Sequence, residues 1–239
     1  MHANFIIATL LSAVAIQAAP LQKRAVVDHD SLSPLPEAVQ SGTLGQLMLK
    51  FEPRLYVSHG CQSYPAVDSA GNVRKRSGGL SASGSASGAC RDESKGQTYA
   101  RAAEYNGRIA IMYAWYMPKD HPDSAFTSGH RHDWENAVVF VNKATGAFEE
   151  AFASAHGKYS RSTSPAMDGN HVLIEYYFTW PLNHATKFTS TVGRDLPVLD
   201  WATMTSAMQN ALNTYDFGSA EFPAKDSNFV SNLDKASNS

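Results

Sequence analysis

Between residues 108 and 117 the chain alternates with a period of two. Ile109, Ile111, Tyr113, Trp115 and Met117 fall on one face, and Ala110, Met112, Ala114 and Tyr116 on the other. Both faces are mostly apolar, which predicts a central strand covered on both sides. Pro118 has no N–H for a ladder and is expected to end that strand. A polar loop follows, and Asn136 to Asn142 (NAVVFVN) predicts the returning strand. Further strands are expected over Phe51 to Val57 (interrupted by Pro53), Ala147 to Ala155, His171 to Trp180 (bounded by Pro181) and Ala185 to Val192. Short strands separated by turn residues, without regular βα alternation, indicate an all-β sandwich. Helical spacing is confined to two places. Glu37 to Lys50 predicts a short helix weakened by Gly42 and Gly45, and Asp200 to Leu212 predicts one helix with Asp200 as its N-cap.

The ends and one internal tract depart from this pattern. Residues 1–20 read as a secretory signal peptide, with an apolar core over Phe5 to Ile16 and small residues before Pro20. Lys23-Arg24 is a possible dibasic processing site. Residues 21–36 are expected to be extended, 37–233 to form a single domain, and 234–239 to fray. Ser77 to Gly88 (SGGLSASGSASG) has no pattern able to bury a core and reads as flexible. Before it, Arg74-Lys75-Arg76 is either a solvated basic turn or a site for a proteolytic nick.

Composition narrows the function. The chain of 239 residues is 43% hydrophobic and 18% charged, an ordinary globular balance. A formal net charge of -2 gives no electrostatic case for nucleic acid. No other apolar run approaches the ~20 residues of a membrane-spanning helix. Cys61 and Cys90 suit an oxidising compartment, where a bridge between them is worth roughly 3–4 kcal/mol; the alternative is two buried thiols. No Asn-X-Ser/Thr sequon occurs.

The chemistry concentrates in Gly129-His130-Arg131-His132-Asp133-Trp134-Glu135, with Asp120 and Asp123 upstream. In an extended chain, His130 and His132 share one face while Asp133 and Glu135 share the other. A turn over Gly129 to Asp133 would bring both sets together, within reach of Asp120. Carboxylates with one or two imidazoles suit Mg²⁺, Ca²⁺ or Mn²⁺ better than structural zinc. The competing reading is a solvated polar hairpin held by an ion pair such as Arg131 with Asp133. His132 alone reads as a hydrogen-bonded structural residue.

The run AIMYAWYMPKD followed by GHRHDWE resembles the signature of the necrosis- and ethylene-inducing protein-like family of secreted microbial toxins. Gly60-Cys61, Cys90-Arg91-Asp92, Ser154-Ala155-His156 and Trp180-Pro181-Leu182-Asn183-His184 resemble further family motifs. The resemblance implies an actinoporin-like β-sandwich with flanking helices and, for Cys61 and Cys90, the one-disulfide subgroup. It implies a monomer, secreted and acting at the host plasma membrane, whose divalent cation sits in a cavity among surface loops. It further implies binding to plant sphingolipid (glycosylinositol phosphorylceramide) headgroups, followed by membrane damage without enzymatic turnover. Carried over by position, the cation set is Asp120, His130, Asp133 and Glu135. Asp120 and Asp133 are expected as the most direct ligands, and His130 and Glu135 partly through water. His132, His156 and His184 are expected around the cavity, with Trp180 and Asn183 at the sugar or membrane. Read from its strand alone, Trp180 is instead a core aromatic. The loop between Asp120 and His130 looks longer than is usual, which leaves room for Asp123 to compete as a ligand.

Two other functions stay open at this level. One is a metal-dependent hydrolase built on His-X-His-Asp, although a strand rather than a helix follows the cluster. The other is a molecule sensed by plant pattern-recognition receptors through Ala110 to Glu135.

Overall fold

A computed structural model describes residues 26–74, 79–122 and 129–239. The signal segment, the dibasic Lys23-Arg24, Lys75-Arg76 and Asp123 lie outside the described residues. Among the described residues, twelve strands occur in the order β1 (Val26–Val27), β2 (Arg54–Val57), β3 (Val73–Arg74), β4 (Thr98–Tyr105), β5 (Arg108–Asp120), β6 (His130–Asn142), β7 (Phe148–Ala155), β8 (Lys158–Ser162), β9 (Met167–Asp168), β10 (His171–Phe178), β11 (His184–Phe188) and β12 (Val198–Asp200). Also among the described residues are three α-helices, α1 (Thr43–Lys50), α2 (Ser206–Thr214) and α3 (Phe229–Ser237). The main sheet runs β12-β4-β5-β6-β7-β8, and a second runs β11-β10-β2, with β9 paired on β10. β11 lies against β6 and β7, so the two sheets close on each other as a sandwich with flanking helices.

β5 is central, as its alternation predicts. It pairs with β4 on one side and β6 on the other, and every residue from Ile109 to Asp120 is buried. One face reaches α1, where the Tyr113 hydroxyl donates to Met48 O at 2.8 Å. The opposite face carries Tyr116 and, beside it on β6, Trp134. Both pack on Phe217, and Trp134 also meets Phe222, from the segment between α2 and α3. Trp134 meets Phe217 edge-on and the other pairs are tilted, geometries that stabilise beyond the area they bury.

Pro118 does not end β5. The ladder with β4 stops at Ala114, and loop backbone continues that edge: Tyr64 N–H donates to Tyr116 O at 2.8 Å and Leu80 N–H to Pro118 O at 2.9 Å. A residue's N–H and C=O face the same edge of an extended strand. The missing N–H of Pro118 therefore falls on the loop side, and pairing with β6 is undisturbed through Asp120↔His130.

Three further expectations are corrected. The described part of the Ser77–Gly88 tract is docked, with Ala86 buried, Leu80 held as above and Lys119 Nζ donating to Ser85 O at 2.7 Å. Its small residues lie close to neighbouring backbone, which a hydrophobic count does not register. The single helix over 200–212 is two elements. Asp200 caps only a 3-10 turn at Trp201–Thr203, Met204 is extended, and Thr205 caps α2 by accepting from Met208 N–H. Residues 234–237 are the last turn of α3 rather than a frayed tail, anchored by buried Phe229, Leu233 and Ala236 at helical spacing.

Candidate functional site

A cavity of about 490 Å³ opens where the two sheets meet the C-terminal helix. Asp120, His130, Asp133, Glu135, Ser154 and His184 line it from the strands; Lys158, Tyr159, Glu221, Asn228, Asn232 and Lys235 line it from the hairpin after β7 and from the C-terminal region.

One residue decides how the strand side assembles. Simple alternation would separate His130 from Asp133 and Glu135. His132, however, takes φ 60, a left-handed value uncommon for a non-glycine residue, and the step Pro118/His132 is missing from the pairing register. Alternation breaks at this step on both strands, so Asp120 and His130 come to the same side as Asp133 and Glu135. The close approach of the strand ends also requires Gly129, where a Cβ would stand 2.3 Å from Asp120 O. His132 itself points the other way. Its Nδ1 is 2.6 Å from the Tyr116 hydroxyl, and its ring lies edge-on to Tyr215 and Phe217. It is a core histidine and does not line the cavity, in contrast to the place that the resemblance implies.

The acidic groups are deeply placed, with Asp120, Asp133 and Glu135 exposed by 1%, 6% and 7%. Each is held by protein donors. His184 Nδ1 lies 2.6 Å from Asp120 Oδ1; Asp133 accepts from Trp134 N–H at 2.9 Å and from the Tyr176 hydroxyl at 2.7 Å; Glu135 accepts from the Ser154 hydroxyl. Burial, and then the charge of Asp120, push the Asp133 carboxyl up to about 7. Burial, and then the charge of Asp133, raise Glu135 well above the usual carboxylate range. Among the described residues, no Lys or Arg forms an ion pair with any of the three.

His130 Nδ1 is 2.8 Å from His132 O, which makes it the donor there and leaves Nε2 with its lone pair. That atom is 3.6 Å from Asp120 Oδ2 and 3.1 Å from the Asn183 amide nitrogen. His156 is exposed at the mouth with φ 51. Trp180 is 64% exposed, and Leu182 beside it 48%, so Trp180 is not a core residue. The loop that carries them returns through Asn183, whose contact with His130 ties it to the cavity. Cys61 and Cys90 are joined in a disulfide and fully buried.

Among the described residues, no three His, Cys, Asp or Glu side chains already stand together in liganding geometry. The donor chemistry nevertheless fits a hard divalent cation. Among the described residues, three buried carboxyl groups and the imidazole of His130 line one cavity without a Lys or Arg ion-paired to them, and a doubly charged ion would favour their ionised forms. Zinc would favour more nitrogen or sulfur donors.

Sequence reading missed Ser154 as the partner of Glu135, Tyr176 as the partner of Asp133, and the α3 side of the cavity. Tyr176 had a signal, since it sits on an inward position of the alternating β10. Asn228, Asn232 and Lys235 recur on one helical face, a polar stripe that periodicity in apolar residues does not detect.

Comparison with known proteins places this geometry. The family model "Necrosis inducing protein (NPP1)" matches residues 45–236. The chain is 40% identical over 234 residues to NLP effector protein 10 of Phytophthora capsici, covering 95% of this chain and 97% of that one. The solved structure "NLPPya in complex with mannosamine" superposes with a TM-score of 0.82 at 44% identity, covering 89% of this chain and 99% of that one. The non-toxic HaNLP3 protein superposes with a TM-score of 0.81 at 37% identity, covering 87% and 98%. With the family model matched over most of its length, this chain belongs to the necrosis-inducing protein family.

Proposed function

We propose that this protein is a secreted, membrane-damaging effector that recognises the sugar headgroup of a plant glycosphingolipid through a divalent cation. The carrying observation is the joining of three buried carboxyl groups, none ion-paired to Lys or Arg among the described residues, to an exposed Trp180-Pro181-Leu182 loop by the Asn183–His130 contact. Asp120, His130, Asp133 and Glu135 would hold Mg²⁺, Ca²⁺ or Mn²⁺. Bound there, the ion would take sugar hydroxyls as ligands. The chain's own residues orient and exclude water: Tyr176 and Ser154 fix two carboxylates, and Asn183 fixes His130. Trp180 suits a membrane interface because its ring is apolar and carries one N–H donor. The relative solved with mannosamine supports a sugar as the ligand class. No bond of the lipid has to be broken for this function.

The test is dye release from vesicles made with plant glycosylinositol phosphorylceramide, comparing wild type, Asp120→Ala and Asp133→Ala, with circular dichroism as the fold control. Wild type should release dye, and the two folded variants should not. Full release by both would overturn the role of the carboxylates. Cleaved lipid in the wild-type reaction, lost in Asp133→Ala, would favour a hydrolase instead.

A further inference from the structure

Behind the cavity, the Asp120 carboxylate is held by His184, and the hold extends one residue further. The backbone N–H of His184 lies 3.3 Å from each Asp120 oxygen, and its Nδ1 is 2.6 Å from Oδ1. On the far side of the same ring, His184 Nε2 is 2.8 Å from Nδ1 of His59. With the Asp120 oxygen as acceptor, His184 Nδ1–H is the donor to it. A neutral imidazole then has only a lone pair at Nε2, so His59 Nδ1–H is the donor to His184. The order of donors runs His59, His184, Asp120. It commits Oδ1 to the His184 ring and turns Oδ2, which keeps only the long contact with the His184 N–H, toward His130.

His59 is itself placed by its surroundings. Its ring stacks on His184 with centroids 5.0 Å apart and tilts against Phe178 at 5.6 Å. Gly60 follows at φ 79, and a Cβ there would stand 2.6 Å from His184 Nε2, so a side chain at this position would drive the two rings apart. Gly60 O accepts from the Arg91 guanidinium at 3.1 Å, and the next residue, Cys61, is bonded to Cys90. The disulfide and Arg91 thus pin the segment that carries His59. His59 does not line the cavity.

We infer that His59 is a positioning residue of the cation site, acting through His184 to fix the orientation of Asp120. The inference rests on the cation reading above. His184 is 2% exposed. Without His59 its Nε2 becomes a buried acceptor with little access to water, and nothing then favours the ring orientation that donates to Asp120.

The experiment is isothermal titration calorimetry of Mg²⁺ and of Ca²⁺ into wild type, Asp120→Ala, His59→Phe and His59→Asn, with thermal melting of each in EDTA. Phe keeps a stacked ring without a nitrogen. Asn offers an amide N–H at the reach of Nδ1. Binding should be lost in Asp120→Ala, weakened by about 10-fold or more in His59→Phe, and largely restored in His59→Asn, as for other residues that orient ligands. Wild-type affinity in His59→Phe, with binding lost in Asp120→Ala, would overturn this inference and leave the cation reading standing. Wild-type affinity in Asp120→Ala would overturn both. A lowered melting midpoint in EDTA for His59→Phe, with no recovery of affinity in His59→Asn, would assign His59 to the fold and overturn the positioning role.

Discussion

Glu52 gives a quantitative test of the packing that is independent of the cavity. It lies between α1 and β2, 5% exposed, and its Oε1 is buried without a hydrogen-bond partner. Burial, and then the charge of Asp195, push its carboxyl up from 4.5 to about 8. Because the folded value lies above the unfolded one, the folded state binds the extra proton, and stability falls as pH rises between the two. The group contributes nothing adverse below about pH 4.5, an increasing cost from there to about pH 8, and a constant cost beyond. A difference of 3.5 units (8 minus 4.5) corresponds to ~5 kcal/mol at most, a large share of the stability of a domain. Glu52→Gln removes the charge at every pH and keeps the shape. Urea unfolding followed by tryptophan fluorescence in EDTA, at pH 5, 6.5 and 8.5, should show the variant gaining on wild type by several kcal/mol across the series. EDTA keeps any contribution of the cavity carboxylates common to both proteins, so it cancels in the difference. Parallel stability curves would refute the placement of Glu52 as a buried carboxyl whose Oε1 has no hydrogen-bond partner.

Other predictions follow from single contacts. Trp180→Ala should weaken vesicle leakage while calorimetric cation affinity stays at the wild-type value, since the ring is exposed and outside the cavity lining. Ser154→Ala leaves both Glu135 and the Asn136 N–H without a partner and should cost about 1–3 kcal/mol in urea unfolding. Ala110 to Met117 is entirely buried in β5, so receptor sensing of the Ala110–Glu135 segment requires release from the fold. A synthetic peptide of that segment should therefore elicit an immune output in a responsive plant more strongly than the intact, protease-protected Asp133→Ala protein.

Much of the sandwich was legible because burial leaves a period. β5 and β10 are visible as alternation, β7 and the second half of β6 as short strand-like runs between turns, and Cys61 with Cys90 as a pair suited to oxidation. What escaped depended on partners distant in sequence. Pro118 reads as a strand end only if the loop edge is assumed to be another strand; here Leu80 and Tyr64, far upstream, occupy that edge and need no donor from it. The glycine- and serine-rich tract looked flexible because small residues that dock on backbone carry no hydrophobic signal. Met204 broke a helix that its composition favoured because two caps, Asp200 and Thr205, each start a separate turn.

The site shows why a motif and its geometry are different pieces of information. Gly129 to Glu135 names the donors, but strict alternation would have turned His130 away from Asp133 and split the set. The left-handed backbone at His132 reverses that, and such a conformation costs of order 1–3 kcal/mol unless its surroundings impose it. The compensation is on the opposite face, where the His132 ring is locked by the Tyr116 hydroxyl and by Tyr215 and Phe217. The aromatic core on one side of β6 thereby holds the carboxylates together on the other. Phe217→Ala, which opens that pocket, should release the strain and disperse the candidate ligands without touching one of them, seen as weakened calorimetric Mg²⁺ affinity with an unchanged far-UV circular dichroism spectrum; wild-type affinity would refute the link.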